Sequence, residues 1–265
     1  MSDLGSQRIK EVARLSQKDA RLETGLFLLE GPQGLKELTQ QPQLVVEVFV
    51  TSAARERYSD EFRHLQSAGV EVTEVSEKTM ERISDTRTPQ GVLAVLHQFD
   101  VSIDDLSQSS AKLVALLDHI ADPGNAGTVL RAADAAGADG VVFSSGSVDV
   151  YNPKAVRSTA GSLLHLPVVK DVDTLDSILT LKAAGFQVFG AAAGGRSLDG
   201  MTQSELSRPT AWVFGNEAAG LSESVVQACD QVVGIPIYGS AESLNLATAA
   251  AICLYASAFA QRANH

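Results

Sequence analysis

Three segments hold most of the residues able to do chemistry, and each follows a run that reads as a β-strand. The first is Asp122-Pro123-Gly124-Asn125-Ala126-Gly127, with Arg131 shortly after it. The second is Phe214 to Leu221, which contains Gly215, Asn216, Glu217 and Gly220. The third runs from Ile235 to Asn245 and includes Ile237, Glu242, Ser243 and Leu244. Glycines such as Gly215 and Gly220 either take positive φ or let a ligand approach the backbone. Ordinary turn chemistry accounts for each of them equally well when taken singly. Asn125 can cap a helix that begins near Gly127, and Ser243 and Asn245 flank the start of the final helix. Arg131 lies among Val129, Leu130, Ala132 and Ala133. On its own it reads as half of an ion pair, with Asp134 or Asp118 as partner. Loops that follow parallel strands gather at one sheet edge, where ligand sites also gather. Three such loops at one edge make one pocket.

Other chemistries fit less well. Gly190 to Gly195 follows a strand but does not spell G-x-G-x-x-G, and no helix clearly follows, so a nicotinamide site is not expected. The five histidines show no ligand spacing, and no Cys/His cluster exists, so no metal is expected. His119 reads as a partly buried polar residue at a strand end. Ser158 and Ser162 lack a nucleophile-elbow setting. Cys229 and Cys253 stand in apolar contexts and read as buried free thiols in a reducing, cytoplasmic compartment.

The elements that must position these residues alternate between strand and helix. From Leu26 to Leu96 short strands and helices suggest a small α/β domain. Gln7 to Leu22 reads as one helix, with Lys10, Arg14, Lys18 and Arg21 within about 80° of one another. That stripe is either a solvated face or a phosphate-contacting surface. Residues 99–111 are polar and read as a linker between domains at 1–98 and 112–265. After it, strands and helices alternate through a helix at Gly127 to Ala136 and a strand at Phe186 to Ala191, up to a long final helix over Leu244 to Arg262. The pattern implies a mostly parallel sheet covered on both faces. No signal peptide and no membrane span are expected, because Leu246 to Ala260 is too short to cross a bilayer.

The net charge of −11 argues against non-specific nucleic-acid binding driven by charge alone. Residues 1–98 hold 12 basic and 15 acidic side chains, and the remainder hold 9 and 17. If RNA is the partner, the N-terminal part is the better candidate for holding it.

Taken together, the three loop segments resemble the SpoU/TrmH family of knotted RNA methyltransferases. Asn125-Ala126-Gly127-Thr128-Val129-Leu130-Arg131 looks like its N-x-G-x-x-x-R motif. Gly215 to Leu221 looks like G-x-E-x-x-G-L, and Ile235-Pro236-Ile237 with Glu242-Ser243-Leu244-Asn245 looks like I-P-M…E-S-L-N. Ile237 stands where Met is usual. Leu29-Glu30-Gly31 and Thr88-Pro89-Gln90-Gly91-Val92 are similar to the α/β substrate-binding domain often attached to this family.

The resemblance implies a trefoil knot in the last strand and helix, and S-adenosylmethionine bound in a bent shape. Ala191, Ala192, Ala193, Gly215, Asn216, Gly220, Ile235, Ile237, Ser243 and Leu244 would hold that cofactor. It implies 2′-O-ribose methylation of RNA by Arg131, Asn125, Ser243, Asn245 and Glu217, in a homodimer. Ribosomal RNA is the first expectation and transfer RNA the second. A base-methylating enzyme, or a non-catalytic RNA- or ribosome-binding module on the same fold, is the alternative.

Overall fold

The computed structural model describes residues 5–263, so the outer ends of both expected domains, and His265, lie outside the described residues. The chain divides into two compact units. One comprises the residues up to Phe99 together with Tyr151–Leu164, and the other comprises Asp100–Val150 and the residues from His165 onward.

The first unit is built on β1 (Leu26–Glu30), β2 (Val45–Val50), β3 (Glu71–Glu74) and β4 (Val92–His97). Their order is β1-β4-β2-β3. β4 is antiparallel to both of its neighbours, and β2 and β3 run parallel. Ile9 and Val12 of the first helix pack on Leu28, Phe49, Leu93 and Val95 from this sheet. Tyr151 joins the same unit: its ring lies 4.7 Å from that of Phe27, and its hydroxyl accepts the Phe99 N–H at 3.0 Å.

Two expectations are corrected here. The single helix over Gln7 to Leu22 is two helices, Ser6–Arg14 and Lys18–Thr24. Arg21 is not on a phosphate-contacting stripe. It is 1% exposed, and its Nη1 donates to the carbonyls of Leu15 at 2.9 Å and Ser16 at 2.8 Å. Those carbonyls have left the first helix, and a buried guanidinium satisfies them. Lys10, Arg14 and Lys18 remain exposed.

The second unit is a six-stranded parallel sheet. It contains β5 (Leu113–Leu117), β6 (Gly140–Ser144), β7 (Val168–Val172), β8 (Gln187–Ser197), β9 (Thr210–Phe214) and β10 (Gln231–Gly234). The order is β10-β8-β9-β5-β6-β7. β5, β6 and β9 are buried along their whole length, as expected for strands covered on both faces. The helices Pro123–Ala136 and Leu246–Arg262 pack on one another. Arg262 fastens them by donating to the carbonyls of Ala136 and Gly137. Trp212 of β9 is fully buried and donates its indole N–H to Ser257 at 3.0 Å.

Residues 100–111 are not a bare linker. They hold the helix Ile103–Gln108, closed by a Ser102/Asp105 capping box, and Leu106 sits in the core of the second unit. The polar composition of this segment belongs to the cap and to the solvent face of the helix.

Candidate functional site

The first loop is set by its helix start. The helix begins at Pro123, four residues before Gly127, with proline in its first turn and Asp122 as the cap. Asp122 Oδ1 accepts the Asn125 N–H at 2.8 Å. Capping is therefore not the work of the Asn125 side chain. That amide is free to donate from Nδ2 to Glu217 Oε1 at 3.1 Å, and its Oδ1 accepts Asn245 Nδ2 at 3.0 Å.

Asn245 is itself the cap of the final helix and accepts the amides of Ala247 and Thr248. That helix starts at Leu246, two residues later than the expected Leu244, because capping puts Asn245 outside it. The three loops are thus joined by one hydrogen-bonded chain, Glu217–Asn125–Asn245.

Glu217 also accepts the backbone amides of Ala121 and Asp122, each at 3.3 Å. Burial alone would push its carboxyl upward. Hydrogen bonds from Asn125, from its own backbone and from Ala121 and Asp122 outweigh that and hold it below the usual carboxylate value.

The second loop closes on itself. Gly220 N–H donates to Asn216 O at 2.8 Å, with Gly220 at φ +70°. Asn216 Oδ1 accepts the amides of Ala218 and Ala219, and its Nδ2 donates to His119 O at 2.7 Å. A Cβ on Gly215 would stand 2.4 Å from the carbonyl carbon of Gly220. Backbone packs against backbone there, so only glycine fits.

His119 is more exposed than expected for a strand-end residue, with 64% of its side chain accessible. Its Nδ1 lies 2.8 Å from the buried Asp118 carboxylate, and its backbone takes φ 54°.

The third wall comes from β8. This strand continues to Ser197, well beyond the expected Ala191. Its pairing with β10 jumps from Val232↔Gly190 to Val233↔Arg196, so residues 191–195 bow away from the β10 ladder. Gly195 permits the return, since a Cβ there would meet the Val232 carbonyl at 2.6 Å.

These walls enclose a cavity of about 480 Å³. It is lined by every residue expected to hold the cofactor: Ala191, Ala192, Ala193, Gly215, Asn216, Gly220, Ile235, Ile237, Ser243 and Leu244. Asn125, Glu217 and Asn245 line it too. Phe214, Val233, Glu242, Leu246 and Ala249 complete the wall and were missed. Glu242 stands inside a quoted motif, and Phe214 directly precedes Gly215, so position could have found both.

Arg131 does not line this cavity. It follows Asn125 by six residues, which turns it about 120° around the helix and about 9 Å along it. It pairs with neither expected aspartate: Asp118 Oδ1 lies against His119 and Thr174, and Asp134 Oδ2 lies 2.8 Å from His165 Nδ1. Arg131 is exposed and makes no hydrogen bond or ion pair among the described residues.

The cavity suits a cationic, partly apolar ligand. Three alanines, Ile235 and Ile237 line it, and among the described residues Glu217 and Glu242 are the only ionisable ones in its wall. The described residues hold no cluster of three or more side chains able to bind a metal and no helix long and apolar enough to cross a membrane. Cys253 is buried and its thiol is pushed up to about 12 by burial, whereas Cys229 is only half-buried.

The SpoU rRNA methylase family model matches residues 112–255, and the MRM3-like substrate binding domain model matches residues 6–94. The chain is 36% identical over 252 residues to the 23S rRNA (guanosine(2553)-2′-O)-methyltransferase RlmP of Bacillus subtilis, covering 94% of this chain and 95% of that protein. An AdoMet-bound rRNA methyltransferase from Sinorhizobium meliloti superposes with a TM-score of 0.83 at 30% identity, covering 97% of this chain and 96% of the other. The AdoMet complex of the SpoU methyltransferase AviRb from Streptomyces viridochromogenes superposes at 0.82 with 29% identity, covering 96% and 97%.

Proposed function

Because the chain belongs to the SpoU rRNA methylase family, we propose that it transfers a methyl group from S-adenosylmethionine to a ribose 2′-hydroxyl of ribosomal RNA. The observation that carries this is the Glu217–Asn125–Asn245 chain, which draws all three loops around one cavity. Large-subunit ribosomal RNA is the substrate favoured by the relatives, and the cytoplasm is the compartment that fits it.

S-adenosylmethionine supplies an electrophilic methyl group on a sulfonium. The alanine bow of β8, the bare backbone at Gly215, and Ile235 and Leu244 would hold it, with Glu217 and Glu242 balancing its positive charge. Ser243 and Asn245, at the mouth of the final helix, would orient the ribose. Glu217 also orders the loop and keeps Asn125 in place.

A ribose hydroxyl attacks only once its proton is leaving or strongly polarised. Arg131 serves this by holding the RNA phosphate and stabilising charge on the oxygen, since a guanidinium gives up its own proton only at great cost. Arg131 lies off its own cavity, which supports a homodimer in which each Arg131 serves the partner's crevice. The exposed Phe259 and Ile252 on the final helix supply an apolar face for that contact. The trefoil knot belongs to this reading, as does the division of labour between an N-terminal substrate-binding part and a C-terminal methyltransferase part.

The test is to map 2′-O-methyl marks on ribosomal RNA from a deletion strain and to restore them with the purified protein and labelled methyl donor. Loss of one ribose mark, restored in vitro, is expected. An unchanged map, or a methyl recovered on a base, would end the proposal.

A further inference from the structure

The first unit carries two adjoining cavities, of about 480 and 340 Å³, and both are lined by Gln33, Pro89 and Gln90. These three residues therefore form the ridge between them. We propose that this ridge reads the edge of an unpaired nucleobase in the RNA. The proposal rests on the function given above and extends it to a site outside the methyl-transfer crevice.

The ridge stands on a fixed base. Glu30 is buried at the end of β1 and accepts the Asp85 N–H at 2.7 Å, the Thr86 N–H at 3.3 Å and the Thr86 hydroxyl at 2.9 Å. Arg157 reaches the same loop through Asp85 Oδ2 at 2.9 Å. Gly91 then turns at φ +78° with its would-be Cβ 2.5 Å from Thr51 Oγ1, so the loop seats directly on the neighbouring strand end. The loop that carries Pro89 and Gln90 is held from below and from one side.

On this base stand two carboxamides with nothing to do. A Cβ on Gly31 would lie 2.9 Å from Gln33 Oε1 and 3.1 Å from Gln90 Oε1, so both amide heads converge over that glycine. Both side chains are exposed, and neither makes a side-chain hydrogen bond among the described residues. A carboxamide offers a donor and an acceptor side by side, the pattern that pairs with a base edge.

The larger cavity also holds Arg57 and Tyr58, with the guanidinium 5.5 Å above the ring. Planar groups of this kind stack on unpaired bases. The charge pattern disfavours a phosphate there. Glu77 faces the same cavity as Arg57, and in the smaller cavity Arg157 is already engaged by Glu30 and Asp85. Neutral donors and acceptors beside a stacking surface suit a heterocycle.

The experiment uses the full-length protein and deproteinised 23S ribosomal RNA. Wild type is compared with Gln33→Ala/Gln90→Ala and with Arg57→Ala. Filter binding measures affinity against salt, and base-specific chemical probing maps protection. The double variant is expected to bind about tenfold or more weakly, with an unchanged salt slope because amides neutralise no phosphate. One unpaired base should lose protection. S-adenosylmethionine binding and kcat at saturating RNA should stay at wild-type level.

Wild-type affinity and protection in the double variant would overturn the proposal. So would a loss of affinity accompanied by a shallower salt slope, which marks a phosphate contact. RNA binding is read without methyl transfer. A wild-type protein that binds and protects the RNA yet transfers no methyl would therefore count against the proposed function and leave this site standing.

Discussion

In the second unit, residues from three distant loops are tied into one chain, Glu217–Asn125–Asn245. In the first unit, the basic residues singled out for RNA stand on two separate helices. Of these, Arg14 meets only an exposed partner, Glu23, at 3.3 Å. One site is held together by hydrogen bonds that run from loop to loop, and the other surface is held by little. Substitutions in the crevice should therefore abolish function outright, whereas those on the basic face should tune affinity.

The largest effect expected is from Gly215→Val. The added side chain would have to displace the backbone of Gly220 and Leu221. Calorimetry should detect no S-adenosylmethionine binding, and transfer should fall to background, while circular dichroism shows the unit still folded. Binding at wild-type affinity would break the comparison, because the second loop would then be as tolerant as a surface turn.

Arg131→Ala comes next, with turnover expected to fall roughly 10²–10³-fold and cofactor affinity retained. Mixing this variant with Gly215→Val sharpens the test. In a shared dimer, the intact cavity of one copy meets the intact Arg131 of the other, so activity should return to at most about a quarter of wild type. No recovery would place each Arg131 at its own crevice.

Glu217 gives the pH dependence. Its carboxyl is lowered from 4.5, so the order it imposes is complete above that value and is lost as pH falls through the lower folded-state value. Cofactor affinity should weaken on acidification across that window. Glu217→Gln should weaken it at neutral pH and remove the acid limb. An acid limb that persists in the variant would assign the titration elsewhere.

This contrast also explains what the sequence could reveal. Gly215, Asn216 and Gly220 are fixed by backbone geometry within a few residues, so their types and spacing carry the site. The Asn125 role was half legible: an amide at a helix start was visible, but Asp122 takes the cap and frees Asn125 for Glu217. The bow of β8 depends on a register jump against β10, a long-range fact that no local pattern in Gly190 to Gly195 records. The N-terminal stripe failed for a similar reason. Helical spacing from Lys10 to Arg21 assumes an unbroken helix, and the chain breaks at Leu15–Gln17. Arg21 then turns inward to serve the very carbonyls that the break exposes.

Arg21 and its former companions should accordingly part ways. Arg21→Ala removes the donor to two carbonyls from a buried site, and a stability loss of about 1–3 kcal/mol is expected, read as a lower denaturant midpoint. RNA affinity measured below that midpoint should not change. Reversing Lys10, Arg14 and Lys18 to Glu should do the opposite. The three side chains are exposed, so the midpoint should hold, while RNA affinity falls and its salt slope becomes shallower by roughly one for each phosphate no longer neutralised. The effect is the smallest of the set, because each of these charges is solvated and screened. Unchanged affinity and slope would mean that this face is ordinary solvated surface, and that the first unit grips RNA through neutral groups rather than through charge.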